Sequence, residues 1–439
     1  MTDSTVVQLS RFRADLARTL NRRARALLDT PDIKQQTEAL EPLEAYFLIK
    51  EIGVADAALI LRHATHVQLQ AFVDIDCWVR DRPDPIEIDA WLAPFAAEGP
   101  STLARAFAHL DEEVQTLFLA SSIIIHDASE DGVPDPVKDV ARMTTPDRYF
   151  VLDAVDADMR DVHPFVLVEA LYASDVQVGF TSIMAAKWEL KSQLEETALH
   201  FRNGRMEELG FPSRQDALAI FAPPPSGPPK PIARGNPIPA TLPALYAQPL
   251  TETSLLGRGL ARIADQRLLE AIESDLAYLI SAAIVAYGET PRDISHVTEF
   301  AARVRDTVSL GLEALASPDG PLRFPDGEQA ASDAAATLDQ WPMRLLFRHG
   351  HYQVTMVQKG AAALATDPIV AHWLQKTETE HDDYGQDRLD REFLRALLDD
   401  RPLHGGFDTL KPERRVAYAT KQELVDAEER LDAIAKRLL

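Results

Sequence analysis

Apolar positions recur at three- and four-residue intervals along most of this chain, the period of an amphipathic helix. Leu269, Ile272, Leu276, Leu279, Ile280 and Ala283 make one such stripe, and Val297, Phe300, Ala301, Val304 and Val308 make another. Phe347, Gly350, Val354, Val357, Ala361 and Leu364 make a third. Gly350 and Gly360 fall inside that last helix, where each costs about 1 kcal/mol relative to alanine; close approach of a second helix would account for them. The strand signal is confined to 137–155. There VKDVARM and YFVLDAV flank Thr144–Arg148, with Pro146 at the second position of a type I turn. The pattern predicts an all-α fold with at most one short β-hairpin.

Proline then divides the chain. Ten of its 29 prolines lie between Pro223 and Pro249. With φ fixed and a donor missing at each, this stretch is neither helix nor central strand. Ile232, Ile238, Leu242, Leu245 and Tyr246 among them favour a strap over a free linker. A second break falls at 317–329. The expected organisation is a basic amphipathic helix at 1–35, a helical block at 36–136 and a hairpin with a second helical block at 137–222. The proline-rich strap or linker at 223–249 and a C-terminal helical domain at 250–439 complete it.

Two stretches carry a resemblance. Asp56–Leu61 followed by His66–Phe72, and again Leu103–Leu119, look like helical-hairpin repeats of the cytosolic N-terminal domain of MgtE-type magnesium transporters, over about 45–125. The likeness implies superhelical stacked hairpins. The regulatory and membrane domains of those transporters have no counterpart here, so a transport role does not carry over. Phe72–Trp78, Glu208–Pro212 and Leu346–Gly350 resemble an uncharacterised bacterial family of unknown function over roughly 36–400. That resemblance implies a helical body and lends no activity.

Charge and cysteine content narrow the function. With 45 Lys and Arg against 69 Asp and Glu, the net charge is −24, which repels phosphate backbones and argues against nucleic acid as a partner. Cys77 is the only cysteine, so no internal disulfide or cysteine zinc cluster is expected, as in a reducing cytoplasm. Arginines interrupt the apolar residues at the N-terminus. The longest apolar runs, such as Leu117–Ile125, are far short of the ~20 residues that span a bilayer. A cytoplasmic protein without a transmembrane segment is expected.

Searches for local chemistry yield little. Asp127, Ser129, Asp131, Gly132 and Asp135 match the opening of a calcium loop, but Lys138 stands where the bidentate glutamate belongs. His63 and His66, three apart on a helical face, are the metal candidates, half a site without a third ligand nearby. Glu378 and His381 give a single Glu-x-x-His where di-iron bundles use two. Gly257-Arg-Gly259 begins a dinucleotide fingerprint that Arg262 breaks. No catalytic residue and no cofactor is expected.

Two segments offer contact surfaces. Arg11, Arg18, Arg22 and Arg25 share the N-terminal helix with Leu9, Phe12, Leu16 and Leu20. Such a helix serves an anionic membrane surface, an acidic groove or its own acidic body. At the other end Leu424, Ala427, Leu431, Ile434 and Leu438 repeat the 3–4 spacing of a coiled-coil seam, or of a helix packed on its own domain. The reading is a non-catalytic interaction or scaffold protein with a protein partner. A metal-dependent enzyme whose site is assembled between helices is the alternative, with a divalent-cation sensor as a third.

Overall fold

The computed structural model describes residues 18–129, 133–225, 227, 254–292, 294–375, 385–400, 402–403 and 415–439. The fold is predominantly helical, with two small antiparallel sheets of two and three strands. Among the described residues no helix is long and apolar enough to cross a membrane. The chain divides into two compact units. Ala14–Phe211 with Thr290–Ile294 forms the N-terminal unit, while Pro212–Glu289 with Ser295–Leu439 belongs to the C-terminal one. The division falls at Pro212, and most of the proline-rich 223–249 lies outside the described residues.

The N-terminal unit is built on aromatic packing. Pro42 opens the helix Pro42–Ile52, and Thr65 opens His66–Asp76 through a reciprocal capping box with Gln68. Tyr46, Phe72 and Trp91 of the helix Pro85–Glu98 meet in the core, with Trp91 5.9 Å from Tyr46 and 5.1 Å from Phe72. Asp76 is buried among them and accepts from Lys50 Nζ at 2.9 Å, Trp91 Nε1 at 3.0 Å and the Tyr46 hydroxyl at 3.1 Å. The single Tyr46 hydrogen is shared with the carbonyl of Arg292, 2.7 Å away. Asp76 is thus a carboxylate paid for by three donors.

The expected hairpin forms from Arg142–Thr144 and Phe150–Ala154, but Ile123–Asp127 adds a third strand on the other side of Phe150–Ala154. Trp78–Val79 and Arg82–Pro83 form a further two-stranded hairpin. The helical fold class expected from the sequence is thus the observed one, while the limit of one hairpin is exceeded by the third strand and the second small sheet. The apolar run Leu117–Ile125 begins as helix and ends as strand: Glu112–Ser122 stops where three consecutive β-branched isoleucines begin, and these favour the pleated surface. Asp153 in the central strand accepts Arg142 Nε at 2.5 Å and pairs with His126 Nε2 at 2.9 Å, one partner on each flanking strand.

In the C-terminal unit two long helices, Ile294–Ala316 and Met343–Ala365, cross at Gly311 and Gly350. A Cβ at Gly350 would stand 1.9 Å from the Thr307 carbonyl oxygen, and one at Gly311 1.8 Å from that of Leu346. Backbone meets backbone there, and only glycine fits. Gly360 has open space beside it, so the close approach expected of both glycines holds for Gly350 alone. The crossing feeds a core in which Leu310, Val354 and Val357 meet Trp373, Phe393 and Leu394.

Asp306 lies one residue from the buried Arg305 and near Glu423. Burial, reinforced by Glu423, raises its carboxyl from the usual range up to about 8. A carboxyl raised in the folded state contributes stability that is complete below its unfolded value near 4 and is lost as pH rises through about 8. Asp306→Asn is therefore expected to flatten the fall in melting temperature between about pH 4 and 8 and to raise it at the alkaline end. Thermal melts of both chains across that range check it; parallel pH profiles would remove Asp306 as the cause.

Candidate functional site

The structure distributes the residues singled out in the sequence rather than gathering them. His63 sits in the turn before the Thr65 cap, and His66 is the first residue of the following helix. The shared helical face expected for them is a misreading: the capping box starts the helix between the two. His66 packs edge-on to His109 at 6.3 Å, and among the described residues no group of three or more His, Cys, Asp or Glu could hold a metal ion. Asp127 Oδ1 accepts from the Ser129 backbone at 2.8 Å and hydroxyl at 2.6 Å, closing a local turn. Asp131 and Gly132 of the calcium-like loop lie outside the described residues, as do Glu378, His381 and Arg11. Cys77 is fully buried, and burial together with Asp76 pushes its thiol well up, which disfavours a reactive thiolate.

The basic helix is described over 18–28. Its apolar face, Leu20, Ala24 and Leu27, is buried, and Arg23 pairs with Glu44. Arg18, Arg22 and Arg25 are exposed on it. The C-terminal seam is used up inside its own unit: Leu424, Leu431 and Ile434 are buried in the core and Leu438 packs against it. As a partner-binding surface Leu424, Leu431 and Leu438 are thereby corrected, since burying each such side chain stabilises by about 1.5–3 kcal/mol and its exposure would forfeit that. Arg430 and Arg437 of the same helix both bond Asp390, at 2.8 and 2.9 Å, fixing the seam further.

A different surface stands out on the N-terminal unit. The helix Val176–Trp188 is largely apolar, yet only Gly179 and Ile183 are buried. Its inner side is held firmly. Gly179 lies so close to the Tyr172 ring that a Cβ would come within 2.5 Å, and Phe180 packs on Tyr149 and Phe150 at 5.4 and 5.7 Å. Its outer side lines an open groove of about 850 Å³ with the helices Glu112–Ser122 and Lys191–Glu208. Val178, Thr181, Ser182, Ala185 and Trp188 run along that wall at helical spacing. Val178 is 42% exposed, Trp188 57% and Leu190 62%. Lys187 Nζ stands 5.0 Å over the Trp188 ring.

The other two walls are pinned by a buried charge network. Asp74 is wholly buried and accepts from Arg205 Nε at 2.6 Å and Gln70 Nε2 at 3.0 Å. Burial raises the Asp74 carboxyl; the Arg205 guanidinium works against that shift. Arg205 also bonds Asp111, directly before Glu112–Ser122, and Arg202 donates to the Asp74 carbonyl at 2.8 Å while lying over Trp78. The helix Lys191–Glu208 thus ties to both neighbours through Arg202 and Arg205. The Arg205 bond to Asp111 thereby joins the wall Lys191–Glu208 to the start of the wall Glu112–Ser122.

None of the lining residues was among the sequence candidates. The available signal was VQVGFTSIMAAKW itself, whose apolar residues fall on more than one face of the helix. A family model matches residues 4–438, almost the whole chain, and its description is "Family of unknown function (DUF6178)". The chain belongs to that family. The likeness drawn over about 36–400 thus extends to nearly the full length, while the likeness to magnesium transporters is not confirmed. No curated protein and no solved structure matches the chain. For this family member the groove is read from its own geometry alone.

Proposed function

We propose that this chain is a protein-interaction module and that the groove on the N-terminal unit is its contact surface. The observation that carries the reading is the groove wall formed by Val176–Trp188 and the residues just after it, where Trp188, Val178 and Leu190 stand exposed. Soluble proteins rarely hold apolar groups in contiguous exposure without use, and a rigid aromatic anchor flanked by aliphatic side chains is the composition of an interface centre. Thr181 and Ser182 interleave with Val178 and Ala185 along the wall, and Gln115 and Gln193 add amides, which suits recognition of a surface rather than bond chemistry.

The reading is tested by purifying the full chain and its Trp188→Ala/Leu190→Asp variant from the source cell. Both side chains are mostly exposed, so the variant is expected to melt within about 1 kcal/mol of the parent. A protein recovered stoichiometrically with the parent and at least about tenfold depleted with the variant is the expected outcome. Equal recovery with both chains would move the contact elsewhere.

A further inference from the structure

The three-stranded sheet of the N-terminal unit has one unguarded edge. At the two ends of the ladder between Ile123–Asp127 and Phe150–Ala154, Val155 N–H donates to the Ser122 carbonyl at 2.9 Å and Ala128 N–H to that of Tyr149 at 2.8 Å. Bonded and non-bonded pairs alternate along an antiparallel ladder, so Ile124 and His126 spend their backbone groups on Phe150–Ala154. Ile123, Ile125 and Asp127 turn theirs outward. Ile123 N–H is taken by the Leu119 carbonyl, at the end of the preceding helix. Among the described residues the N–H and C=O of Ile125 and of Asp127, and the Ile123 C=O, have no hydrogen-bond partner. The opposite edge, Arg142–Thr144, is three residues long and carries a charge, two of the usual guards against strand addition. Ile123–Asp127 pairs over five residues without proline, lysine, arginine or bulge, and its Ile124 is 54% exposed. Its one carboxylate, Asp127, is turned back onto Ser129.

We infer that this strand is the seam of a twofold dimer, with a second copy of the chain paired antiparallel about Ile125 and the three strands of each sheet joined into one sheet of six. The donors and acceptors fit such a copy. With Ile125 on the axis, its N–H donates to the partner's Ile125 carbonyl and Asp127 N–H to the partner's Ile123 carbonyl, and the reverse. Every outward N–H of both strands is thereby used. The one carbonyl left over on each, that of Asp127, faces the Ile123 N–H already spent on the helix. The charges fit as well. Lys191 Nζ sits 3.4 Å from Ser121 Oγ, just before the strand, while Asp127 closes its other end, so the antiparallel register sets the cation of each copy beside the carboxylate of the other. Asp127 also feels Lys187 of its own chain, whose ammonium stands over Trp188. Ile125 lies directly opposite its own copy, and the two exposed Ile124 side chains lie on a diagonal, each beside a His126. The seam uses neither Trp188 nor Leu190 and stands or falls apart from the groove.

The test is sedimentation equilibrium of the full chain between about 1 and 100 µM, at about 0.15 M salt to screen repulsion between two copies, each of net charge −24. One variant carries Ile124→Lys, which sets a cation on the exposed side of the seam. Its control is Ile369→Lys, the same change at a position 57% exposed on the C-terminal unit. The parent is expected to dimerise, at least about tenfold more weakly with Ile124→Lys and within about twofold of the parent with Ile369→Lys. A second readout does not depend on how Ile124→Lys folds. Residues facing each other across the axis have Cα atoms about 5.5 Å apart, within disulfide range. Ile125→Cys is therefore expected to give a covalent dimer on mild oxidation. The parent, whose Cys77 is buried, and Ile369→Cys are expected to give none. A parent that stays monomeric throughout, a dimer indifferent to Ile124→Lys, or Ile125→Cys chains that do not link would overturn the inference. If a monomeric parent instead captures a different protein that Ile124→Lys releases, the edge receives a foreign strand and the self-pairing falls.

Discussion

A Gly350→Ala chain is expected to lose at least about 3 kcal/mol of stability in the C-terminal unit, and Gly311→Ala at least as much. Overpacking a core with one methyl group ordinarily costs about 1–3 kcal/mol, because neighbouring side chains shift to accept it. Here the neighbour is not a side chain. The added Cβ would stand 1.9 Å from the Thr307 carbonyl oxygen in one case and 1.8 Å from the Leu346 carbonyl oxygen in the other. Neither oxygen moves without its helix, so Ile294–Ala316 and Met343–Ala365 must separate, and the packing of Leu310 against Val354 and Val357 goes with them. Gly360→Ala on the same helix meets nothing within 4 Å and is expected to be neutral or to stabilise by up to about 1 kcal/mol. Denaturant melts of the three single variants decide it. Similar midpoints for Gly350→Ala and Gly360→Ala would mean that the helices do not cross as described.

Removing the Arg205 side chain is expected to cost about 3–5 kcal/mol at neutral pH, the usual penalty for stranding a buried charge. Asp74 would keep Gln70 as a side-chain donor but lose its guanidinium while remaining wholly buried. Its carboxyl, already raised by burial, would rise further. A carboxyl raised in the folded state loses its stabilising contribution as pH increases, so the Arg205→Ala deficit is expected to shrink on acidification, when Asp74 takes up a proton. Arg205→Ala/Asp74→Leu removes both charges and is expected to recover much of the loss, since an apolar pair of similar volume does at least as well as a buried ion pair. Melting the two variants beside the parent across pH checks the sign and the rescue. A deficit independent of pH would assign the cost to lost packing of the arginine stem.

The helical body was legible because it rests on local periodicity. Val297, Phe300, Ala301, Val304 and Val308 are all buried as their spacing requires, and so are Ile272, Leu276, Leu279 and Ile280. What periodicity could not supply was context. Nothing local distinguishes Gly350, pressed against a carbonyl, from Gly360 in open space, since the difference lies on another helix. The third strand was hidden within an apolar run that reads as continuous until the isoleucines at 123–125 are weighed as β-formers. His63 and His66 carried a helical spacing that the Thr65–Gln68 cap interrupts. The leucine seam near the C-terminus read as a stripe with two possible partners, another helix or its own domain, and the fold shows the second. The groove was least legible. Glu112, Trp188 and Gln193 come from three helices, and no motif joins residues that only the packing of those helices brings together.

The most direct test of the groove as a contact surface is site-specific photo-crosslinking in the source cell, with the probe at position 190 in one chain and at position 428 in another. Both positions are exposed, and they lie on different units. A discrete protein adduct from position 190, absent from 428 and abolished by Trp188→Ala in the same chain, is the expected result. No adduct at 190, or the same products from both positions, would contradict the assignment of the groove as the working surface of this protein.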